Sequence, residues 1–103
     1  MARHVEIHVP LRPGASGEPP AWIDRIEEFL YELDEQGVIE VFDDGEEWGE
    51  VYIFFIAGAA EGRLIDVATR VATLDGVPAG VFARVTDDRA ADFGMGRRVE
   101  LRR

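Results

Sequence analysis

The order in which strand-like and helix-like patterns follow one another constrains the fold of this chain most. Apolar and polar residues alternate from His4 to Leu11, which predicts a half-buried strand. Apolar residues recur at helical spacing over Pro20–Gln36, where Gly37 is the predicted C-terminal stop, and again over Glu61–Leu74. The remaining strands are predicted at Val38–Phe42, Glu50–Ala57 and Gly80–Thr86, with a short edge strand that Arg97–Leu101 could add.

This β-α-β-β-α-β order resembles the ferredoxin-like split βαβ arrangement, as found in small bacterial proteins of that fold with no assigned role. The resemblance covers residues 4–86 and lies in the order of the elements, not in a sequence motif. It implies an α+β fold in which a four-stranded antiparallel sheet carries both helices on one face, with strands one and three at its centre. The fold hosts many unrelated functions, so the resemblance implies no activity.

Length and composition predict one domain. The chain has 103 residues, 47% of them apolar, with a predicted core over residues 4–86 and a basic C-terminal extension over residues 87–103. The absence of Cys excludes disulfides and thiolate metal sites. Because the longest apolar run has only ten residues and no signal peptide is visible, we expect a cytoplasmic protein with no membrane span. All 11 bases are Arg, which indicates a GC-rich bacterial genome.

The net charge of −10 comes from one part of the chain. Thirteen of the 21 acids lie between Glu18 and Glu50, a segment with a single base, Arg25. Four of these acids form one stripe of helix one, although like charges at i,i+4 destabilise a helix. Further acids, with a tryptophan among them, follow in a predicted turn over Asp43–Gly49. The sequence predicts a partner-binding surface at Asp24, Glu28, Glu32, Glu35, Asp43, Asp44, Glu46, Glu47 and Trp48.

An acidic surface of this kind predicts a basic protein partner, or another copy of the same chain, and excludes nucleic acid. The first function we infer is therefore that of a non-catalytic protein-binding module, either regulatory or inhibitory in the manner of an immunity protein. The bland interpretation is that the acids only form a solvated face.

The third predicted strand is apolar on both sides, so both of its faces should be buried. Tyr52, Phe54 and Ile56 are predicted to lie on the face without helices, together with Phe82, and to mediate self-association as a homodimer. Two other covers for this face remain open. One is a small ligand, and the other is the C-terminal tail with Phe93, Met95 and Leu101.

Strand one contains the ionisable side chains that are best suited to catalysis or metal binding. His4, Glu6 and His8 share one face, but the two histidines stand roughly 13 Å apart and cannot bind one ion together. Glu6 with either histidine could chelate a divalent ion, but a third ligand would have to come from elsewhere. We therefore predict no metal and no cofactor. An imidazole beside a carboxylate can act as a general base. The alternative function is thus a small homodimeric enzyme or small-molecule-binding protein that uses the open face at His8, Glu6, Tyr52 and Arg84, around Phe54 and Phe82.

Overall fold

The described residues form an α+β fold of two helices and a five-stranded antiparallel sheet. The computed structural model describes residues 3–11, 21–74, 76–78, 80–87 and 97–101. In chain order the elements are β1 Arg3–Pro10, α1 Ala21–Glu35, β2 Glu40–Trp48, β3 Val51–Ala57, α2 Glu61–Ala72, β4 Phe82–Asp87 and β5 Arg97–Glu100.

The strands lie in the order β2-β3-β1-β4-β5, and every neighbouring pair is antiparallel. β1 is therefore the central strand, and β3 lies beside it in the interior of the sheet. β5 pairs with β4 at one edge, which confirms the predicted short fifth strand.

The main core forms between the helices and one face of the sheet. Val5, Ile7 and Val9 of β1 point to this face and are fully buried. Both helices contribute apolar residues at helical spacing, as the sequence predicts. The residues that the two helices bury are Trp22, Ile26, Leu30, Leu64, Val67, Ala68, Val71 and Ala72. Each fully buried aliphatic side chain of this kind stabilises the fold by about 1.5–3 kcal/mol.

The end of α1 confirms the predicted role of Gly37. Its φ of 78° is readily adopted only by glycine, and its N–H donates to Asp34 O at 3.0 Å. The N–H of Val38 donates to Leu33 O at 2.9 Å. These two bonds form a Schellman motif, which satisfies the last carbonyls of the helix and turns the chain toward β2.

β2 is longer than predicted, and the predicted turn over Asp43–Gly49 is wrong. The strand continues to Trp48, and the hairpin turns at Gly49 and Glu50, where Gly49 has a φ of 63°. Two register shifts against β3 each insert one extra residue into β2. The sequence of this acidic segment reads as a loop because the two bulges interrupt the alternation of side chains that identifies a strand. β2 is an edge strand, where bulges are common.

The second bulge contains a glycine that the packing requires. A Cβ atom at Gly45 would lie 2.6 Å from Cε1 of Tyr52, closer than any real contact. The Tyr52 hydroxyl also donates to Gly45 O at 3.2 Å. The tyrosine therefore ties the bulged edge strand to β3.

Neither α1 nor α2, the helices of the described residues, has the length and apolar character that crossing a membrane requires.

Candidate functional site

The strand register shows which side chains lie on the sheet face away from the helices, here called the second face. Because Val5, Ile7 and Val9 point to the helices, Glu6 and His8 between them point the other way. Residues directly opposite each other in antiparallel strands share a face. The pairs that this places on the second face are His8 with Ile53 and Phe82, and Glu6 with Phe55 and Arg84.

The predicted placement of Tyr52, Phe54 and Ile56 on the second face is wrong. All three lie on the helix side: Phe54 and Ile56 are buried in the main core, and Tyr52 packs its ring against Trp22 with the centroids 6.5 Å apart. Of the predicted self-association residues, only Phe82 lies on the second face. Because every residue of this strand segment is apolar, alternation alone could not tell which set faces the helices.

Ile53 and Phe55 lie on the second face, where Tyr52, Phe54 and Ile56 are predicted. They are 0% and 5% exposed, although they lie on the face without helices. Neither residue is predicted on this face from the sequence, although a signal for it is present. Once β1 is paired with β3, the alternation of β1 decides the orientation of its neighbour. Their burial is complete within one chain, so covering these two residues does not require a second copy.

Leu101 does not cover the second face. It packs against the main core on the helix side, together with Val99, which pairs with Ala83. The other two tail residues of that hypothesis, Phe93 and Met95, lie outside the described residues.

A buried polar couple lies at the centre of the second face. His8 Nε2 and Glu6 Oε1 are 3.0 Å apart, and the two residues are 1% and 2% exposed. The two side chains meet because residues at i and i+2 of a strand project from the same face. Burying two ionisable groups costs free energy, and the bond between them offsets part of that cost.

An aromatic ring and a guanidinium complete this cluster from β4. The rings of His8 and Phe82 stack with their centroids 4.7 Å apart and their planes 22° from parallel. The Cζ atom of Arg84 lies 5.6 Å from the centroid of the Phe82 ring, within the range of a cation–π contact. The alternative site of the sequence analysis is thus brought together in three of its four members, His8, Glu6 and Arg84, while Tyr52 lies on the opposite face.

A groove of about 320 Å³ opens beside this cluster. It extends from β4 across β1 to the β2–β3 turn. Its lining residues are His8, Gly49, Glu50, Val51, Phe82 and Arg84. The groove thus combines an aromatic and an aliphatic wall with one arginine and one exposed acid.

The chemical groups in this arrangement are of the kinds that bind small molecules and exchange protons in proteins. Glu6 is hydrogen-bonded to Nε2 of His8 and so fixes the orientation of the imidazole. The guanidinium of Arg84 is suited to binding a carboxylate group. Among the described residues, no three His, Asp or Glu side chains are close enough together to hold a metal ion.

The second candidate surface is the acidic stripe, defined as Asp24, Glu28, Glu32 and Glu35 of α1. All four residues are exposed. Tyr31, which the sequence analysis did not single out, lies among them and is 46% exposed, the one exposed large apolar residue found in the described part of the chain. Helical spacing indicated this position, since Tyr31 is three residues from Glu28 and four from Glu35.

Other acids of the segment have different environments. Asp34 is half-buried, and its Oδ2 accepts a hydrogen bond from Val41 N at 2.8 Å, so this acid joins the end of α1 to β2. Its position at the helix C-terminus therefore has a structural reason. Glu46 and Glu47 are exposed on β2. The side chains of the other three predicted partner-binding residues, Asp43, Asp44 and Trp48, lie outside the described part of the structure.

Comparisons of the chain with protein-family models, with curated proteins and with solved structures found no match.

Proposed function

We propose that this protein binds a small organic molecule in the groove of the second face, where His8 exchanges a proton with it. The observation that carries this proposal is the buried Glu6–His8 couple, with its atoms 3.0 Å apart, beside a groove of about 320 Å³. Ligand sites in proteins are typically concave and mostly apolar, with a few polar groups that converge on the ligand.

The cost of the couple supports a functional role. Apolar residues of similar volume in place of a buried ion pair are often neutral or stabilising. The neighbouring residues Ile53 and Phe55 are apolar and buried, so an apolar pair would suit the same position. Ionisable groups buried beside a groove are therefore candidates for a functional site.

The roles follow from the contacts. His8 is the acid/base group, and Glu6 is a positioning residue that holds the imidazole through Nε2. Arg84 and Phe82 bind the ligand on the β4 side. If the protein is an enzyme, its reaction class is proton transfer to or from the bound molecule.

NMR titration with a mixed set of small acids, amines, zwitterions and neutral compounds tests the proposal. A ligand should shift the backbone amide signals of Gly49, Val51, Phe82 and Arg84, and leave those of α2 unchanged. His8→Phe should weaken the binding at least about tenfold, as the loss of one charged or hydrogen-bonded contact does. The proposal is wrong if no compound class shifts the groove signals at millimolar concentration.

A second candidate function is the binding of a basic protein by the acidic stripe. The observation that favours it is Tyr31, because an exposed aromatic residue surrounded by charge has the composition of a binding hot spot. The same stripe would also accept the Arg-rich segment 97–103 of another copy, which would give a homodimer.

Charge reversal tests this second function. The double variant Glu28→Lys and Glu32→Lys should no longer capture a basic protein from host lysate at low salt, whereas Asp66→Lys on the other helix should still capture it. Both acids and Asp66 are exposed, so the fold is preserved in each variant. Equal capture by all the variants would contradict a role for the stripe, and a dimer would be visible in sedimentation at low salt.

We also infer that the fold is a ferredoxin-like arrangement with β5 added at an edge. Two observations support this. The sheet contains the strand order β2-β3-β1-β4, and the elements follow one another along the chain in the order β-α-β-β-α-β before β5. An experimental structure with both helices on one sheet face and this strand order would support the inference. A different strand order would contradict it.

A further inference from the structure

We propose that the ligand of the groove is a zwitterion, a molecule that carries a carboxylate at one end, an ammonium group at the other and an apolar body between them. This inference rests on the proposed function, since it names the class of molecule that the same groove binds. It is carried by the positions of the two charged residues in the lining, Arg84 and Glu50, and by the apolar residues between them.

The register places the two charges at opposite ends of the groove. Arg84 is opposite Glu6 of β1, while Val51, next to Glu50, is opposite Pro10. Glu6 and Pro10 are four residues apart on one strand, which is about 13 Å, and β3 and β4 are two strand spacings apart, about 10 Å. Both residues line the same groove, so an extended molecule that lies in it can contact both.

Each end of the groove suits one charged group. The planar guanidinium of Arg84 offers donors in a fork that matches a carboxylate. The carboxylate of Glu50 is an acceptor for an ammonium group, and it is exposed at the β2–β3 turn, where the backbone carbonyl of the same residue is held by Leu11 N at 2.8 Å. Between them, Phe82 and Val51 provide an apolar surface for the body of the ligand.

The charges in the groove lining favour a ligand with no net charge. A net anion that contacts Arg84 would also meet the field of Glu50 in the same lining, which repels it. A simple cation would be attracted by that field but would meet the arginine inside the groove. A zwitterion avoids both penalties, because each of its charges has an opposite charge at its own end of the groove.

A matched series of compounds tests the inference by NMR titration. The series is 6-aminohexanoate, hexanoate and hexylamine, which share one chain length and differ only in their charged groups. We expect the amino acid to bind at least about tenfold more tightly than either single-charge compound, since each lost ionic contact removes a charge-assisted hydrogen bond. Longer and shorter amino acids of the same type then measure the distance between the two ends.

Variants at the exposed end make the test specific. Glu50→Gln should lower the affinity for 6-aminohexanoate to that of hexanoate, and Glu50→Lys should change the preference to the dicarboxylate adipate. Glu47→Lys is the matched control, because this substitution makes the same change of charge on the same hairpin, at a residue outside the groove lining. It should leave the preference unchanged.

The outcomes separate this inference from the proposed function. If hexanoate or hexylamine binds as tightly as the amino acid, or if Glu50→Lys does not change the preference, the ligand class is wrong while the groove is still a binding site. If no compound of any class shifts the signals of the groove, both proposals are wrong.

Discussion

Replacing the two members of the buried couple, singly and together, separates its contribution to stability from its role in function. The single variants are His8→Phe and Glu6→Leu, and the double variant combines them. Phe and Leu fill about the volume of the residues they replace. The environment is apolar on the β3 side, where Ile53 and Phe55 are 0% and 5% exposed.

The expected magnitudes follow from burial and distance. Each single variant removes one partner of a 3.0 Å bond between residues that are 1% and 2% exposed. If the couple is neutral, this costs about 1–3 kcal/mol, and if it is an ion pair, about 3–5 kcal/mol. We therefore expect each single variant to lose about 3 kcal/mol of the free energy of unfolding. The double variant should be within about 1 kcal/mol of the original protein, because no polar member of the couple is left buried.

Urea unfolding measures these differences, with the fluorescence of the buried Trp22 as one signal and circular dichroism as a second. The two single losses should exceed the loss of the double variant, which gives a coupling energy of several kcal/mol. A double variant that loses the sum of the two single losses would show that the two side chains do not stabilise each other. A stable double variant that no longer binds the groove ligand would show that the couple is kept for function.

Two further predictions concern the joints of the edge strand. Asp34→Ala should lower the free energy of unfolding by about 1–2 kcal/mol, because the N–H of Val41 loses its 2.8 Å acceptor; a loss below the error of urea unfolding would contradict this. Gly45→Ala should lower the melting temperature, since its Cβ would lie 2.6 Å from the ring of Tyr52 and overpacking costs about 1–3 kcal/mol. The matched variant Gly62→Ala in α2, where no atom lies within 4 Å of the new Cβ, should instead raise it.

The sequence predicts best those elements that have a regular pattern of apolar residues. The alternation in β1 and the helical spacing in α1 and α2 place these elements within a few residues of their observed bounds. The stop at Gly37 is also local, because a positive φ after a helix is a property that glycine supplies by itself. β2 was predicted too short, since its two bulges depend on the pairing with β3 and break the alternation on which a strand prediction relies.

The candidate site shows the same division. That Glu6 and His8 share a face of β1 follows from the period of a strand, so the sequence was sufficient for it. Which residues of β3 and β4 surround them was not decided by the sequence, because a strand with apolar residues on both sides has no intrinsic orientation. The antiparallel register brings Phe82 and Arg84, but not Tyr52, to the histidine.

Local sequence patterns are sufficient to predict the element types, their order and the location of the charge, since each of these depends on neighbours within a few positions. The burial of the polar couple, the hydrogen bond by which Asp34 holds β2, and the presence of Arg84 and Glu50 in the lining of one groove all follow from tertiary contacts. These features depend on strand pairs far apart in the chain, and a shift of one residue in register would move every side chain to the other face.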